Sequence, residues 1–327
     1  MKIFITGGSG YVGRNIIRAL KKRDDTVYAL ARSLKAGEVV EKLGAQVVAG
    51  DITDGDALRN GMRGCDVVIH CAGKVATWGD PLDFHRVNVD GTRQVIQACQ
   101  TMGISRLIFL SSGSVIADGK PKIHIDESAP YPRKPMGLYP LTKGLAERLV
   151  ISANSDSLQT IVLRARLIWG RDDTVWLPGI IEVVQSGRWV WVNRGHHLIS
   201  TCHVANMVEA VTLALEKGQG GHVYFVTDGS PVEFRNFVEN LLMTQDTSAP
   251  DRNIPAWLAM WGARLSEFVV RRFSLDRDPP LTRTAVGLIS HELTINDQKV
   301  RDELGYQGTM TREDGMIDLA RRKRKLR

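Results

Sequence analysis

Residues 2–13 read Lys2-Ile3-Phe4-Ile5-Thr6-Gly7-Gly8-Ser9-Gly10-Tyr11-Val12-Gly13, a short apolar run that breaks into glycines. The run Lys2–Thr6 predicts a strand, and a helical pattern opens at Tyr11. Gly7, Gly10 and Gly13 stand at G-x-x-G-x-x-G spacing between the two. Glycines there permit a tight turn, close approach of the backbone to a pyrophosphate, and close packing of helix on strand. The helix N-terminus adds unpaired N–H groups and the positive end of its dipole. A second strand candidate, Thr26–Ala31, ends roughly twenty residues further on, as in a dinucleotide-binding βαβ unit.

Working outward, the first half of the chain alternates short apolar runs with helical segments. That is the pattern of a parallel sheet covered on both faces. Strands are expected at Lys2–Thr6, Thr26–Ala31, Gln46–Ala49, Asp66–Cys71, Arg106–Leu110 and Gln159–Leu163. Helices are expected at Tyr11–Lys22, Asp54–Gly61, Phe84–Met102 and Gly137–Asn154. Beyond about residue 165 the alternation loosens, although a helix at Val204–Glu216, a strand at His222–Thr227 and a helix at Glu233–Met243 still read clearly. The fold class is therefore α/β. A doubly wound parallel sheet is expected over residues 1–165, with a smaller, partly discontinuous substrate lobe over residues 166–327, some of whose segments return to the first domain.

Composition bounds the rest. Hydrophobic residues make up 43% and charged residues 24% of the 327, as in a soluble globular protein. No apolar run approaches the ~18 residues of a membrane span. The glycine turn follows the N-terminus too closely for a signal peptide. Cys65, Cys71, Cys99 and Cys202 have neither metal-ligand nor disulfide spacing, so no metal is assigned and a reducing cytoplasm is the default. The formal net charge is +7. Arg321, Arg322, Lys323, Arg324, Lys325 and Arg327 supply six of those charges, so the body is nearly neutral and no nucleic-acid partner is expected. The basic run itself reads as a solvated, frayed end.

Three further clusters carry chemistry. At the end of the second strand, where an NAD site usually has an acid for the ribose 2′-hydroxyl, the chain has Arg32. A guanidinium suits a 2′-phosphate, which favours NADP(H), while dual use of NAD(H) also fits. Asp51 closes the third strand, where its carboxylate can meet an adenine amine or cap the following helix. Ser111 and Ser112 close the strand Arg106–Leu110 at the carboxyl edge of the sheet, placed to hydrogen-bond a substrate oxygen. Tyr139-Pro140-Leu141-Thr142-Lys143 puts a phenol and an ammonium one helical turn apart on one face. A positive charge there lowers a phenol from its usual pKa of ~10, towards a value useful for passing a proton to a carbonyl that receives hydride.

With these residues in order, the chain resembles the extended short-chain dehydrogenase/reductases. The resemblance rests on the co-linear series TGGSGYVG, Gly50-Asp51, His70-Cys71-Ala72-Gly73, Asn88-Val89-Asp90-Gly91-Thr92, Ser111-Ser112 and YPLTK. It implies a Rossmann sheet in which Ser112, Tyr139 and Lys143 are catalytic: Tyr139 as acid/base, Lys143 holding the nicotinamide ribose. It also implies cofactor contacts from Gly7, Gly10, Tyr11, Val12, Gly13, Arg32, Asp51, Ile52, Ala72, Gly73, Lys74 and Asn88. Lys74–Gly79, Leu163–Gly170, Tyr224–Gly229 and Pro280–Arg283 are similar to the 3β-hydroxysteroid dehydrogenase branch, and within it to bacterial 2-alkyl-3-oxoalkanoate reductases. Two departures stand out: Ala165 where proline is usual, and Arg171-Asp172 where Pro-Gly is usual. Members often pair as homodimers through helices such as Phe84–Met102 and Gly137–Asn154. Gly113-Ser114 stands where dehydratases carry Asp-Glu, which removes elimination chemistry. A nucleotide-sugar 4-epimerase and a non-catalytic NADP-binding regulator remain as alternatives to an alcohol/ketone oxidoreductase.

The second half adds Trp169, Trp176, Trp189, Trp191, Trp257 and Trp261. Together they point to an apolar cavity for a hydrophobic substrate, a 3-oxo or 3-hydroxy alkyl acid or a sterol-like alcohol, with core packing as the alternative for each one. Trp257–Phe273 reads as an amphipathic helix, whether a lid, a core helix or a peripheral membrane contact. His203 is given no catalytic part.

Overall fold

The computed structural model describes residues 1–273 and 277–325. Seven strands form one parallel sheet: β1 (Lys2–Thr6), β2 (Thr26–Ala31), β3 (Gln46–Ala49), β4 (Val67–His70), β5 (Arg106–Ser112), β7 (Gln159–Ala165) and β12 (Val223–Val226). Their order is β12-β7-β5-β4-β1-β2-β3, so the chain runs outward from β1 to β3 and then returns to β1's other side with β4. Ligands of open α/β sheets lie at the carboxyl ends of the strands beside such a reversal.

Side-chain alternation explains why the strands are apolar almost throughout. Ile3, Ile5, Ile69, Ile108, Ile161 and Leu163 face one layer, built from α1 (Tyr11–Lys22), α8 (Val204–Lys217) and α12 (Gln298–Leu304). Phe4, Val68, Leu107, Phe109 and Val162 face the other, built from α3 (Gly55–Met62), α5 (Gly91–Met102) and α6 (Leu138–Ser152). A short α2 (Leu34–Glu41) follows β2, its first turn capped by Ser33, which accepts from the Ala36 N–H at 3.2 Å.

The expected helix Phe84–Met102 is in fact composite. A single turn, α4 (Pro81–His85), passes through a π-helical turn at Arg86–Asp90 into α5. π turns recur at functional sites because the extra residue re-aims side chains, and Asn88 sits in this one.

The remaining elements form the lobe. A small sheet joins β6 (Lys122–Ile125), β10 (Leu198–Ile199), β13 (Val232–Glu233) and β15 (Leu293–Ile295). Two strand pairs, β8 (Ile168–Trp169) with β11 (Cys202–His203) and β9 (Trp191–Val192) with β14 (Asn253–Ile254), link the connections. α7 (Trp176–Gln185) and α9 (Phe234–Met243) close a core around Trp169, Trp189 and Trp191. Those three tryptophans are buried, so they fill the lobe rather than line a cavity. Trp257 and Trp261 behave differently: both are exposed, on α10 (Ala256–Arg272). α11 (Arg283–Ile289) packs beneath α10 through Val286, with Leu281, just before it, against the same cluster.

The basic run is less frayed than expected. α13 (Arg312–Lys325) carries it, Arg322 pairs with Asp318 at 2.6 Å, and Lys323 reaches the Gln245 carbonyl. Arg327 lies outside the described residues. The four cysteines are unpaired, and among the described residues no helix is long and apolar enough to cross a membrane.

Candidate active site

The glycine turn is cut to shape at two positions. Gly7 has φ +69°, and a Cβ on it would meet the Ala72 nitrogen at 2.6 Å. A Cβ on Gly13 would lie 2.2 Å from the Gly7 carbonyl oxygen. The turn therefore folds hard against the end of β4, and only glycine fits. At its exit Gly10, the N-cap of α1, gives no side-chain cap, as at α5 and α6, whereas Ser33, Asp54 and Asp80 cap the N-termini of α2, α3 and α4. No capping side chain therefore competes with an anion for the first N–H groups of α1. These features fit a dinucleotide.

A buried hydrogen-bond chain fixes the neighbouring strand ends. The Thr92 hydroxyl donates to the Asn88 carbonyl at 2.6 Å, so it accepts from His70 Nε2 at 2.9 Å. His70 Nδ1 then accepts from the Thr6 hydroxyl at 2.8 Å, and that oxygen accepts the Ala72 N–H at 3.3 Å. Burial holds the imidazole neutral, its pKa pushed down to about 3, with the Lys143 charge acting the same way. Asn88 extends the chain. Its Oδ1 accepts from the Lys74 N–H at 2.7 Å, while its Nδ2 donates to the Lys74 carbonyl at 3.2 Å and to Thr142 Oγ1 at 2.9 Å. The π turn thus ties the Ala72-Gly73-Lys74 loop to α6.

On α6, Lys143 is buried. Its Nζ donates to the Leu110 carbonyl at 2.6 Å and stands 3.9 Å above the Phe109 ring. A Cβ on Gly73 would lie 4.0 Å from that nitrogen. Burial lowers the ammonium to about 8, against the opposing charge of Glu147. Tyr139, half-buried one turn earlier, has Ser112 for a neighbour. Burial pushes its phenol up, and Ser112 offsets only part of the rise. The direction is opposite to the lowering expected from Lys143, because loss of water around the phenol outweighs the other influences on it.

The adjacent serines have separate tasks. Ser111 donates to Glu147, a fully buried carboxylate that also accepts from Tyr131 at 2.5 Å and from Arg164 Nη2 at 2.5 Å. Ser112 faces the other way, towards Tyr139 and Ser114, whose Oγ is 2.9 Å away. Glu147 is a site-supporting residue that sequence reasoning passed over. Its signal was its place one turn beyond Lys143 on the same helix.

At the far edge, Arg32 is exposed just beyond β2. Burial raises the Asp51 carboxyl, but hydrogen bonds from Thr53 and the charges of Arg86 and Arg32 outweigh it and hold it below its usual range. Asp51 does not cap α3: Asp54 does, while Asp51 accepts the Thr53 N–H at 3.0 Å. The side chain of Ile52 turns inward, into the layer that α5 covers. Tyr11 is likewise buried, and its hydroxyl has no partner.

The departure at Arg171-Asp172 keeps the backbone shape that glycine would give. Asp172 holds φ +67°, a region that Asp tolerates better than most residues. Arg18 pairs with its carboxylate and Arg14 donates to its carbonyl at 3.1 Å, pinning the loop to α1.

Comparison with known proteins agrees with this geometry. Residues 4–256 match the 3-beta hydroxysteroid dehydrogenase/isomerase family. The chain is 45% identical to the 4-hydroxy-2-methyl-3-oxo-4-farnesyl-3,4-dihydroquinoline-1-oxide ketoreductase of Stigmatella aurantiaca, over 97% of this chain and 95% of that one. It is 32% identical to the 2-alkyl-3-oxoalkanoate reductase of Stenotrophomonas maltophilia, over 97% of each. It is 31% identical to the decarboxylating sterol-4-alpha-carboxylate 3-dehydrogenase of Dictyostelium discoideum, over 97% and 99%. Among solved structures, gox2253 superposes with a TM-score of 0.81 at 24% identity, covering 99% of this chain and 98% of that one. The UDP-glucuronic acid 4-epimerase of Bacillus cereus, solved with NAD, gives 0.77 at 18%, over 100% and 99%, a likeness of fold.

Proposed function

The chain belongs to the 3-beta hydroxysteroid dehydrogenase/isomerase family of NAD(P)-dependent oxidoreductases, and we propose that it interconverts a secondary alcohol and a ketone on a hydrophobic substrate, using NADP(H). A bound nicotinamide dinucleotide supplies or accepts the hydride. Tyr139 gives the proton to the carbonyl oxygen, or takes it from the hydroxyl. Ser112 donates to that oxygen as negative charge gathers on it. Lys143 holds a positive charge one turn away, with the Ala72-Gly73-Lys74 loop and Asn88 fixing the site around it. The observation that carries this reading is the meeting of Ser112, at the carboxyl end of β5, with Tyr139, one turn from the buried Lys143 on α6.

Tyr139→Phe is expected to lower turnover by about 10²–10⁴-fold, the range of general acid–base catalysis, while cofactor still binds. Retained turnover would remove the assignment. Net NADPH oxidation separates this reading from an epimerase, which keeps its cofactor through the cycle.

For the cofactor, Arg32 carries the NADP(H) preference, and Arg86 adds a second positive charge beside Asp51. Arg32→Glu should weaken NADP(H) at least tenfold more than NAD(H), as titrations followed by cofactor fluorescence would reveal; equal losses would contradict it. The substrate is a 3-oxo or 3-hydroxy alkyl acid or a sterol-like alcohol. In support, the relatives' names contain a farnesyl group, an alkyl chain and a sterol, all apolar. Such substrates reside in lipid, and the exposed face of α10 is the part of the molecule suited to rest against a membrane surface.

A further inference from the structure

Arg166 stands immediately beyond β7, whose last residue, Ala165, pairs with Ser112. It is only 7% exposed. A Cβ on Gly113 would lie 3.2 Å from Arg166 Cβ, so the arginine leaves the sheet beside the Ser112-Gly113 corner. Its Nη2 donates to the Leu288 carbonyl at 2.6 Å, and its Nε is buried with no hydrogen-bond partner. Arg164, two residues earlier, has Glu147 for a counter-charge. Arg166 has no carboxylate partner among the described residues, and burial alone lowers its pKa to about 10. A buried, uncompensated guanidinium disfavours folding, and its unused donor calls for a physical reason.

A second unpartnered nitrogen lies just before β10, the strand beside β15. His197 Nε2 is buried without a hydrogen bond, while the ring stacks on Phe234 at 5.2 Å. Burial pushes this imidazole down to about 4, and the charge of Arg166 acts in the same direction. Glu233, the acid that acts on His197, is paired with His196 at 2.9 Å. Leu288 and Ile289 are the end of α11. Its other end, at Thr284, presses on Gly137, the residue that opens α6 one step before Leu138 and Tyr139. One short helix therefore ties Arg166 to the Tyr139 helix.

We propose that Arg166 is an anion subsite for a substrate carboxylate carried on the carbon next to the reacting one. This rests on the alcohol/ketone reading above and narrows its substrate class to 3-oxo and 3-hydroxy acids. The planar guanidinium matches a carboxylate in geometry, and burial strengthens the pairing. The bond to Leu288 alone would make Arg166 a plain cap for the last carbonyls of α11, so the test must separate the two roles.

The probes are a 2-alkyl-3-hydroxy acid and its methyl ester, each oxidised with NADP⁺. Arg166→Gln should raise KM for the acid about 10- to 100-fold, the worth of a charged hydrogen bond, with kcat little changed and the ester unaffected. Arg166→Lys should recover part of the loss for the acid. Unchanged cofactor affinity in Arg166→Gln certifies that the variant folds. Equal losses for acid and ester, or none for either, would overturn the subsite and leave the oxidoreductase standing. Oxidation of neither compound by the unaltered protein would instead bring down the alcohol/ketone reading, and the subsite with it.

Discussion

Burial moves Tyr139 and Lys143 in opposite senses: the phenol rises and the ammonium falls to about 8. Of the two, the ammonium therefore loses its proton first as pH climbs. Because kcat/KM reports groups of the free enzyme, it should fall above about pH 8 with the slope of one proton, and Lys143→Arg should carry that fall to higher pH. Stability should respond with the other sign. The folded value lies below the ~10.4 of an unfolded lysine, so the buried charge costs stability below pH 8, and that cost is relieved as pH rises between the two values. A pH–rate profile flat to pH 10 would contradict the first expectation. The four-residue spacing of these side chains was readable in the sequence, since it follows from helix geometry. The sign of the phenol's shift was not, because burial is a tertiary property that no local string encodes.

Among the elements, α10 is the one whose sequence pattern and environment disagree most with a core role. Trp257, Trp261, Leu265 and Phe268 recur at helical spacing yet are 69%, 64%, 54% and 62% exposed. Ala259, Ala263 and Val270 supply the buried side. Arg264, Arg271 and Arg272 are exposed on the same helix, and its one acid, Glu267, is buried against Arg283 at 2.7 Å. An apolar stripe flanked only by positive charge suits an anionic bilayer, and Arg271 over the Trp78 ring at 4.8 Å joins the helix to the loop after β4. The protein should sediment with vesicles containing phosphatidylglycerol and much less with pure phosphatidylcholine. Trp257→Ser with Trp261→Ser should cut that binding at least tenfold; undiminished binding would rule the helix out. Periodicity showed that α10 was amphipathic, but not which side its partners would cover. Nor could it reveal the π turn at Asn88, since one extra residue in a helix leaves the hydrophobic pattern almost unchanged.

At the scale of the whole molecule, three imidazoles are held neutral by burial: His70 pushed down to about 3, His197 to about 4, and His203 lowered as well. In the unfolded chain each takes up a proton near pH 6.5. Their contribution is thus complete at neutral pH and is lost as pH falls from about 6.5 towards the folded values. The unfolding free energy from urea titrations should drop from pH 7 to 5, by up to about 1.4 kcal/mol per pH unit for each imidazole. A smaller drop is expected in His197→Gln, and a level profile would contradict neutral burial. The sheet was legible because a strand covered on both faces writes an uninterrupted apolar run. The lobe was not, because its two-residue strands are too short to show any period, and because β12, α8 and α12 leave it to complete the layers around the sheet.

The strand order has one more consequence, for how the protein is born. β1 is synthesised first but ends in the middle of the sheet. On the ribosome, β2 and β3 can zip onto one side of it as soon as residue 49 emerges. Its opposite edge stays open until Val67–His70 arrives. During that interval the nascent chain carries an unpaired apolar strand able to join a neighbour's. Slow translation between those points is when such a chain would most need a chaperone, and His70, clasping Thr6 as it docks, is the latch that ends the exposure.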